Sequence, residues 1–176
     1  AIALVDYRKV HVDGQTVTFD TPGMGLDLGA IAKGYIADRI KDYLKKEGYN
    51  IEYLIVALFH DLLEDTDATE DEIRSIAGEE VLQAVKLLTK EKGYDMQTYV
   101  TRIRQNPIAY AVKGADRLHN LRTASCTSRH FRQKYITETE TWYLSFRPDI
   151  PAEVEKLKQT LTDENTDNRF SQASSE

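Results

Sequence analysis

The sequence ALFHDLLEDTD, at residues 57–67, does most to set the expected architecture of this chain. Residues 53–63 are apolar nearly all round a helix, which indicates a buried central helix. Burying carboxylates beside an imidazole costs free energy, and a divalent cation offsets that cost. The stretch therefore predicts a metal-binding helix or, alternatively, a helix end that turns acidic residues into solvent. The polar side chains share one helical face, at spacing i, i+1, i+4 and i+5: His60, Asp61, Glu64 and Asp65.

A second polar helix face is expected in VKGADRLHNLRT, at residues 112–123. Asp116, Asn120 and Thr123 recur at i, i+4 and i+7, which places one carboxylate and two neutral hydrogen-bonding groups together. The alternative is an ordinary solvated amphipathic helix. Cationic side chains around the same helix suit phosphate oxygens: Lys113, Arg117 and Arg122.

The rest of the chain changes from a strand pattern to a helical one. Asp13-Gly14 separates two β-branched runs within residues 10–19, which predicts a hairpin. The segment 162–176 has Phe170 as its one large apolar residue, so we expect a disordered tail. We expect further helices over about 31–48, 69–78, 79–92, 95–105, 107–123, 131–146 and 151–161.

Composition excludes several classes of protein. The 176 residues are 41% hydrophobic and 30% charged, with a net charge of −6, which fits a globular protein and disfavours a nucleic-acid partner. No apolar run is long enough to span a bilayer, and the first residues lack a signal-peptide pattern. With Cys126 as the one cysteine, we expect a cytoplasmic protein without an internal disulfide.

Residues from about 50 to 160 resemble the HD-domain phosphohydrolases, especially small hydrolases related to the Rel/Spo enzymes that cleave the alarmone ppGpp. The resemblance is carried by ALFHDLLEDTD at 57–67 and KGADRLHN at 113–120. It implies a helical bundle, a divalent cation that is usually manganese, and a small nucleotide substrate. It implies three sets of roles: His60, Asp61 and Asp116 as metal ligands, Glu64 and Asp65 acting on the attacking water, and Asn120 and Thr123 contacting substrate.

The chain departs from that family at one ligand. The family has another histidine one helix before His60, usually in a Tyr-Ile-x-His-Pro context. The nearest sequence here is YIADRI at 35–40, with Asp38 where the histidine would stand. Either Asp38 supplies an oxygen ligand or the site has three protein ligands and weaker metal affinity.

Residues 10–40 are similar to part of the ApbE-type flavin transferases, which move FMN from FAD to a protein threonine with magnesium. The similarity lies in LDLGAIAKGY at 26–35, where Lys33 falls in the nucleotide-binding stretch of that family. A glycine turn leading into a helix explains the same residues without any ligand. The chain therefore reads as a mosaic, and the sequence leaves open whether it is a natural fusion, an assembly artefact or a deliberately joined chain.

The sequence predicts a mainly α protein, an HD-type helical bundle with a small N-terminal β-hairpin appendage. The expected domains are an ApbE-like fragment at 1–34, a helical domain at 35–161 and a tail at 162–176. The expected function is metal-dependent hydrolysis of a nucleotide phosphate ester, a ppGpp-like 3′-pyrophosphate, impaired by the absent histidine. The alternatives are a degenerate HD domain that binds a nucleotide or a partner without catalysis, and a flavin-transferase remnant that binds FAD. The oligomeric state stays open.

Overall fold

The computed structural model describes residues 7–14, 16–25 and 29–173. Its contacts divide the chain into two compact units, Ala1–Lys33 and Gly34–Glu176. The domain limits expected from the sequence stay predictions. Within the described ranges, no helix combines the length and the apolar character needed to cross a bilayer.

The first unit contains the expected β-hairpin. Strand β1 (Val10–Asp13) pairs antiparallel with β2 (Thr16–Phe19), with Val10 opposite Phe19. Most side chains of both strands are exposed, so cross-strand pairing maintains this sheet without a buried face. Residues 26–28 of the ApbE-like loop lie outside the described residues.

Helices make up nearly all of the regular structure in the second unit, which confirms the mainly α fold class with an N-terminal hairpin. Short 3₁₀ turns follow α6 and α7 at Ala124–Cys126 and Leu144–Phe146. The helices in chain order are α1 (Gly29–Lys46), α2 (Ile51–Phe59), α3 (Leu62–Asp65), α4 (Glu70–Leu88), α5 (Met96–Gln105), α6 (Pro107–Thr123), α7 (Arg129–Trp142) and α8 (Ile150–Ala173).

The central helix is α6, and the expectation of a buried central helix over 53–63 is wrong. Helix α6 packs against α2, α4, α5 and α8. Helix α2 ends at Phe59, and the short α3 begins only at Leu62. Asp61 has φ −106° and ψ 1°, outside the helical range, so the backbone changes direction there. Leu58 is exposed, which shows that α2 buries only one side.

Local signals set both ends and the kink of α4. The Thr69 hydroxyl accepts the Glu72 backbone N–H, and the Glu72 carboxylate accepts the Thr69 N–H, which completes a capping box. Gly78 was expected to end the helix. Its φ of 85° and ψ of 173° are non-helical, so α4 consists of two helices that meet at a kink there, as expected, in a conformation that glycine adopts without a Cβ clash.

Helix α8 continues to Ala173, through most of the segment for which the sequence predicts a disordered tail. Its packed portion begins with buried Ile150, Val154 and Leu157. A helix that is already nucleated and packed extends at little further entropic cost, which accounts for the difference. Residues 174–176 lie outside the described residues.

Gly114 in α6 allows the segment after α7 to approach the central helix closely. A Cβ at this position would lie 2.8 Å from Arg147 Cγ and 3.1 Å from the Phe146 carbonyl oxygen. Arg147 is itself buried and donates to the Tyr43 hydroxyl at 2.6 Å and to Glu47 at 3.2 Å. The absence of a side chain at Gly114 therefore lets Arg147 reach α1.

Gly114→Ala should lower the free energy of unfolding by about 1–3 kcal/mol, because the new methyl group overpacks this contact. Urea denaturation measures the change. Gly34→Ala is the matched control, since Gly34 is an exposed position of α1 and a Cβ added there would have nothing within 4 Å. The control should be neutral or up to about 1 kcal/mol more stable. Equal effects of the two substitutions would contradict the close approach.

Candidate functional site

Asp116 is a buried carboxylate that is held by its own helix. Lys113, one turn before it, donates from Nζ to Oδ2 at 3.0 Å. Asn120, one turn after it, donates from Nδ2 to Oδ1 at 2.7 Å. Both carboxylate oxygens therefore have a partner, and the predicted face of Asp116 and Asn120 forms a hydrogen-bonded cluster.

The ion pair shifts the pKa of each partner. Burial alone would raise the pKa of Asp116, but Lys113 foremost, together with His60 and Arg117, outweighs burial and lowers that pKa to about 2. Burial would lower the pKa of Lys113, but Asp116 foremost, together with Tyr99 and Tyr143, overcomes that effect and the net pKa is raised. Both groups are therefore charged at neutral pH, and each supplies the counter-ion of the other.

Arg117 lies between two aromatic rings rather than in solvent. Its guanidinium carbon is 4.2 Å from the ring centroid of Tyr135 and 4.0 Å from that of Tyr143. Its Nη2 donates to Glu138 Oε1 at 2.5 Å, and the residue is 2% exposed. The sequence predicted Arg117 as a phosphate-binding cation, whereas its short contacts are to the aromatic faces and Glu138. The spacing of charges along α6 gave no sign of these tyrosines, because they come from another part of the chain.

His60 is buried at the end of α2. Its Nδ1 lies 2.7 Å from the Ala57 carbonyl oxygen, and its Nε2 lies 3.3 Å from Asp61 Oδ2. Burial raises the pKa of the Asp61 carboxyl, and the negative charge of Asp116 adds to that rise. His60 and Asp61 therefore lie within electrostatic reach of Asp116.

The other predicted site residues are exposed. Glu64 and Asp65 lie on α3, where the Glu64 carboxylate accepts the backbone N–H of Lys90. The Thr123 hydroxyl donates to the His119 carbonyl at 3.1 Å, on its own helix. Asp38 is on the surface of α1, and its carboxylate accepts from Lys41 at 2.7 Å. The structure thus gives Asp38 a surface partner in place of the expected ligand role.

The donor set does not fit a divalent cation in this arrangement. Across residues 7–14, 16–25 and 29–173, no three His, Cys, Asp or Glu side chains lie close enough together to hold one metal ion. The expected convergence of His60, Asp61 and Asp116 at ligand distances is therefore not seen. Each oxygen of Asp116 instead accepts a hydrogen bond within α6, from Lys113 and from Asn120. The ligand roles of the three residues stay predictions.

A cavity of about 280 Å³ opens beside this cluster, between α6 and α7. Three lysines contribute to its wall, so the surface that surrounds the Asp116 cluster is rich in cationic donors. Helix spacing alone does not predict this wall, because it combines residues from distant parts of the chain. The lining residues are Lys90, Lys113, Asp116, Arg117, Asn120, Phe131, Lys134, Tyr135 and Glu138.

Comparison with known proteins gives different relatives for different parts of the chain. A model of the ApbE family matches residues 1–63. The FAD:protein FMN transferase of Klebsiella pneumoniae (strain 342) is 54% identical over 48 residues, 26% of this chain and 15% of that protein. The guanosine-3′,5′-bis(diphosphate) 3′-pyrophosphohydrolase of Aquifex aeolicus (strain VF5) is 32% identical over 108 residues, 57% of this chain and 16% of that protein. The chain resembles two families.

Both resemblances expected from the motifs are confirmed, and so is the HD-type helical fold class. A crystal structure of a Listeria monocytogenes EGD-e protein superposes with a TM-score of 0.52 at 22% identity, over 72% of this chain and 95% of that one. That likeness concerns the fold alone. The chain spans less than a fifth of the length of the two curated relatives, 15% and 16% respectively.

Asp116→Asn should lower the free energy of unfolding at pH 7 by about 3 kcal/mol, because it leaves the buried Lys113 ammonium without its counter-ion. The folded-state pKa of Asp116 is depressed, so its contribution is complete above about pH 4 and is lost as the pH falls towards 2. The difference between the variant and the unaltered chain should therefore shrink over that range.

Urea denaturation at pH 7, 4 and 3 tests this prediction. Adding Lys113→Met to Asp116→Asn removes the orphaned charge as well and should restore part of the lost stability. A difference that stays constant from pH 7 to pH 3 would show that the ion pair does not stabilise the fold.

Proposed function

We propose that the helical unit is a nucleotide phosphohydrolase-type domain that binds a ppGpp-like nucleotide and hydrolyses its 3′-pyrophosphate weakly. The observation that carries this proposal is the cavity between α6 and α7, where three lysines adjoin the Asp116–Asn120 cluster. Ammonium groups form charge-assisted hydrogen bonds with phosphate oxygens, which are stronger than neutral ones. A ligand with several phosphate charges suits this wall better than a neutral one.

Two of these lysines, Lys90 and Lys134, are placed so that their ammonium groups can bind an anion. Lys134 is exposed on α7 at the cavity. Lys90 rests over the rings of Tyr94 and Tyr99, at 5.4 and 5.7 Å, while Glu64 accepts its backbone N–H. Aromatic contacts of this kind restrict a lysine without neutralising it. Glu64 thereby supports the segment that presents Lys90.

The similarity to the Aquifex aeolicus pyrophosphohydrolase supports ppGpp as the ligand, since that protein is named for acting on guanosine-3′,5′-bis(diphosphate). The chain covers 16% of that protein, so we propose ppGpp as the substrate of this chain on the basis of a partial similarity. From the same resemblance we propose that Glu64 and Asp65 direct the attacking water and that Thr123 contacts the substrate. Manganese or another divalent cation is the cofactor that the resemblance implies.

Weak hydrolysis follows from the incomplete donor set. The family histidine is absent, Asp38 faces solvent, and Lys113 holds Asp116. Loss of one ligand or its support commonly costs 10- to 100-fold in metal affinity or activity. The same Lys113–Asp116 pair favours a second candidate, a domain that binds the nucleotide without hydrolysing it. A third candidate, FAD binding by the N-terminal unit, predicts flavin absorbance in the purified protein.

Lys134→Ala should weaken ppGpp binding about tenfold, the effect of losing one hydrogen bond to a charged group. Isothermal titration calorimetry measures the affinity. The matched control is Lys156→Ala, which removes an exposed lysine of α8 that pairs with Glu153. Equal affinities of both variants and the unaltered chain would place the ligand elsewhere.

We expect slow or undetectable release of pyrophosphate from ppGpp at micromolar manganese. Asp38→His should leave manganese affinity unchanged, because position 38 is exposed and bonded to Lys41 rather than to the buried cluster. A manganese titration of both proteins, with hydrolysis followed in parallel, tests this. Tenfold tighter binding by the variant would show that this face of α1 does reach the metal ligands. Bound ppGpp without turnover would favour the second candidate, and no ppGpp binding would contradict the proposal.

A further inference from the structure

Arg117 and three aromatic rings form a chain of pairwise contacts that reaches the wall of the cavity. Tyr143 lies on one side of the Arg117 guanidinium at 4.0 Å, and Tyr135 lies at 4.2 Å. Phe131 then stacks on Tyr135, with ring centroids 5.5 Å apart and an interplanar angle of 15°. Tyr135 therefore contacts both the buried Arg117 and the ring of Phe131.

One end of this chain of contacts is buried and the other is open. Tyr143 is fully buried, whereas Phe131 is 45% exposed and lines the cavity. A large apolar ring at the mouth of a cationic cavity is costly to hydrate unless a ligand covers it. Its near-parallel position on Tyr135 presents a flat face, which suits an offset-stacked planar ligand.

Lys134 lies next to this face for a reason of helix geometry. Residues three and four apart share one side of a helix, so Phe131, Lys134 and Tyr135 lie together on α7. Lys113 and Asn120 face the same cavity from α6. The cavity thus offers an aromatic surface and ammonium groups within one space, a combination that matches a planar base joined to phosphates.

We propose that Phe131 is the stacking platform for the purine base of the bound nucleotide. The inference rests on the proposed function, since it assigns the base position within the same cavity. A purine is chosen over a pyrimidine because its two fused rings cover more of the exposed aromatic face. Phosphates then extend from the base towards Lys134 and Lys113. Affinity for the base depends on Phe131, and affinity for phosphate depends on the lysines.

The test compares ppGpp with inorganic pyrophosphate, which has the phosphates but no base. Calorimetry on the full chain measures both affinities for the unaltered protein, Phe131→Ala, Phe131→Tyr and the control Ile76→Ala. Ile76 is a 75% exposed apolar residue of α4, so its removal tests for general effects of losing surface apolar area. Thermal denaturation verifies that each variant is folded.

Phe131→Ala should weaken ppGpp binding about tenfold, as expected for loss of one base–aromatic stack, and leave pyrophosphate binding unchanged. Phe131→Tyr should retain both affinities, and Ile76→Ala should change neither. Unchanged ppGpp affinity in Phe131→Ala, or equal losses for both ligands, would overturn the stacking role while the proposed function stands. If the unaltered chain bound neither ligand, the proposed function would fail and the stacking role with it.

Discussion

The candidate site depends on the buried guanidinium of Arg117. A buried cation is tolerated only when other groups replace its hydration, and here two tyrosine faces and the Glu138 carboxylate do so. Arg117 comes from the central helix, while its partners come from α7 and the residue after it. Their contact therefore fixes α7 over α6. The cavity lies along that line of contact, so a core interaction, rather than a surface loop, sets its shape.

Features with a local cause could be predicted from the sequence. The Asp13-Gly14 hairpin, the Thr69–Glu72 capping box and the start of α6 at Pro107 each depend on a few neighbouring residues. The end of α2 could not be predicted in the same way. Apolar periodicity continues past Phe59, but the backbone turns at Asp61, and no composition signal marks that turn.

The site was predictable only where its residues share one helix. Spacing alone places Asp116 and Asn120 on one face of α6, and the structure joins them by a hydrogen bond. The same spacing gave no reason to expect Lys113 as the partner of Asp116, because a lysine three residues away has many rotamers. The position of Phe131 beside Lys90 and Lys113 is a tertiary result, which depends on how α7 packs. Cation-binding motifs in the sequence likewise specify ligand types without specifying the packing that brings them together.

The contact between Arg147 and α1 bears on how such a mosaic chain can persist. Arg147 binds a single turn of that helix, through the Tyr43 hydroxyl and the Glu47 carboxylate, and Leu44 is buried within the same turn. Upstream of that turn, Ile40 is also buried in the core and Ile36 packs against it. Sequence upstream of Ile36 can be exchanged without repacking these contacts. The first turns of α1 are therefore a position at which a different N-terminal segment can be joined while the helical core keeps its contacts.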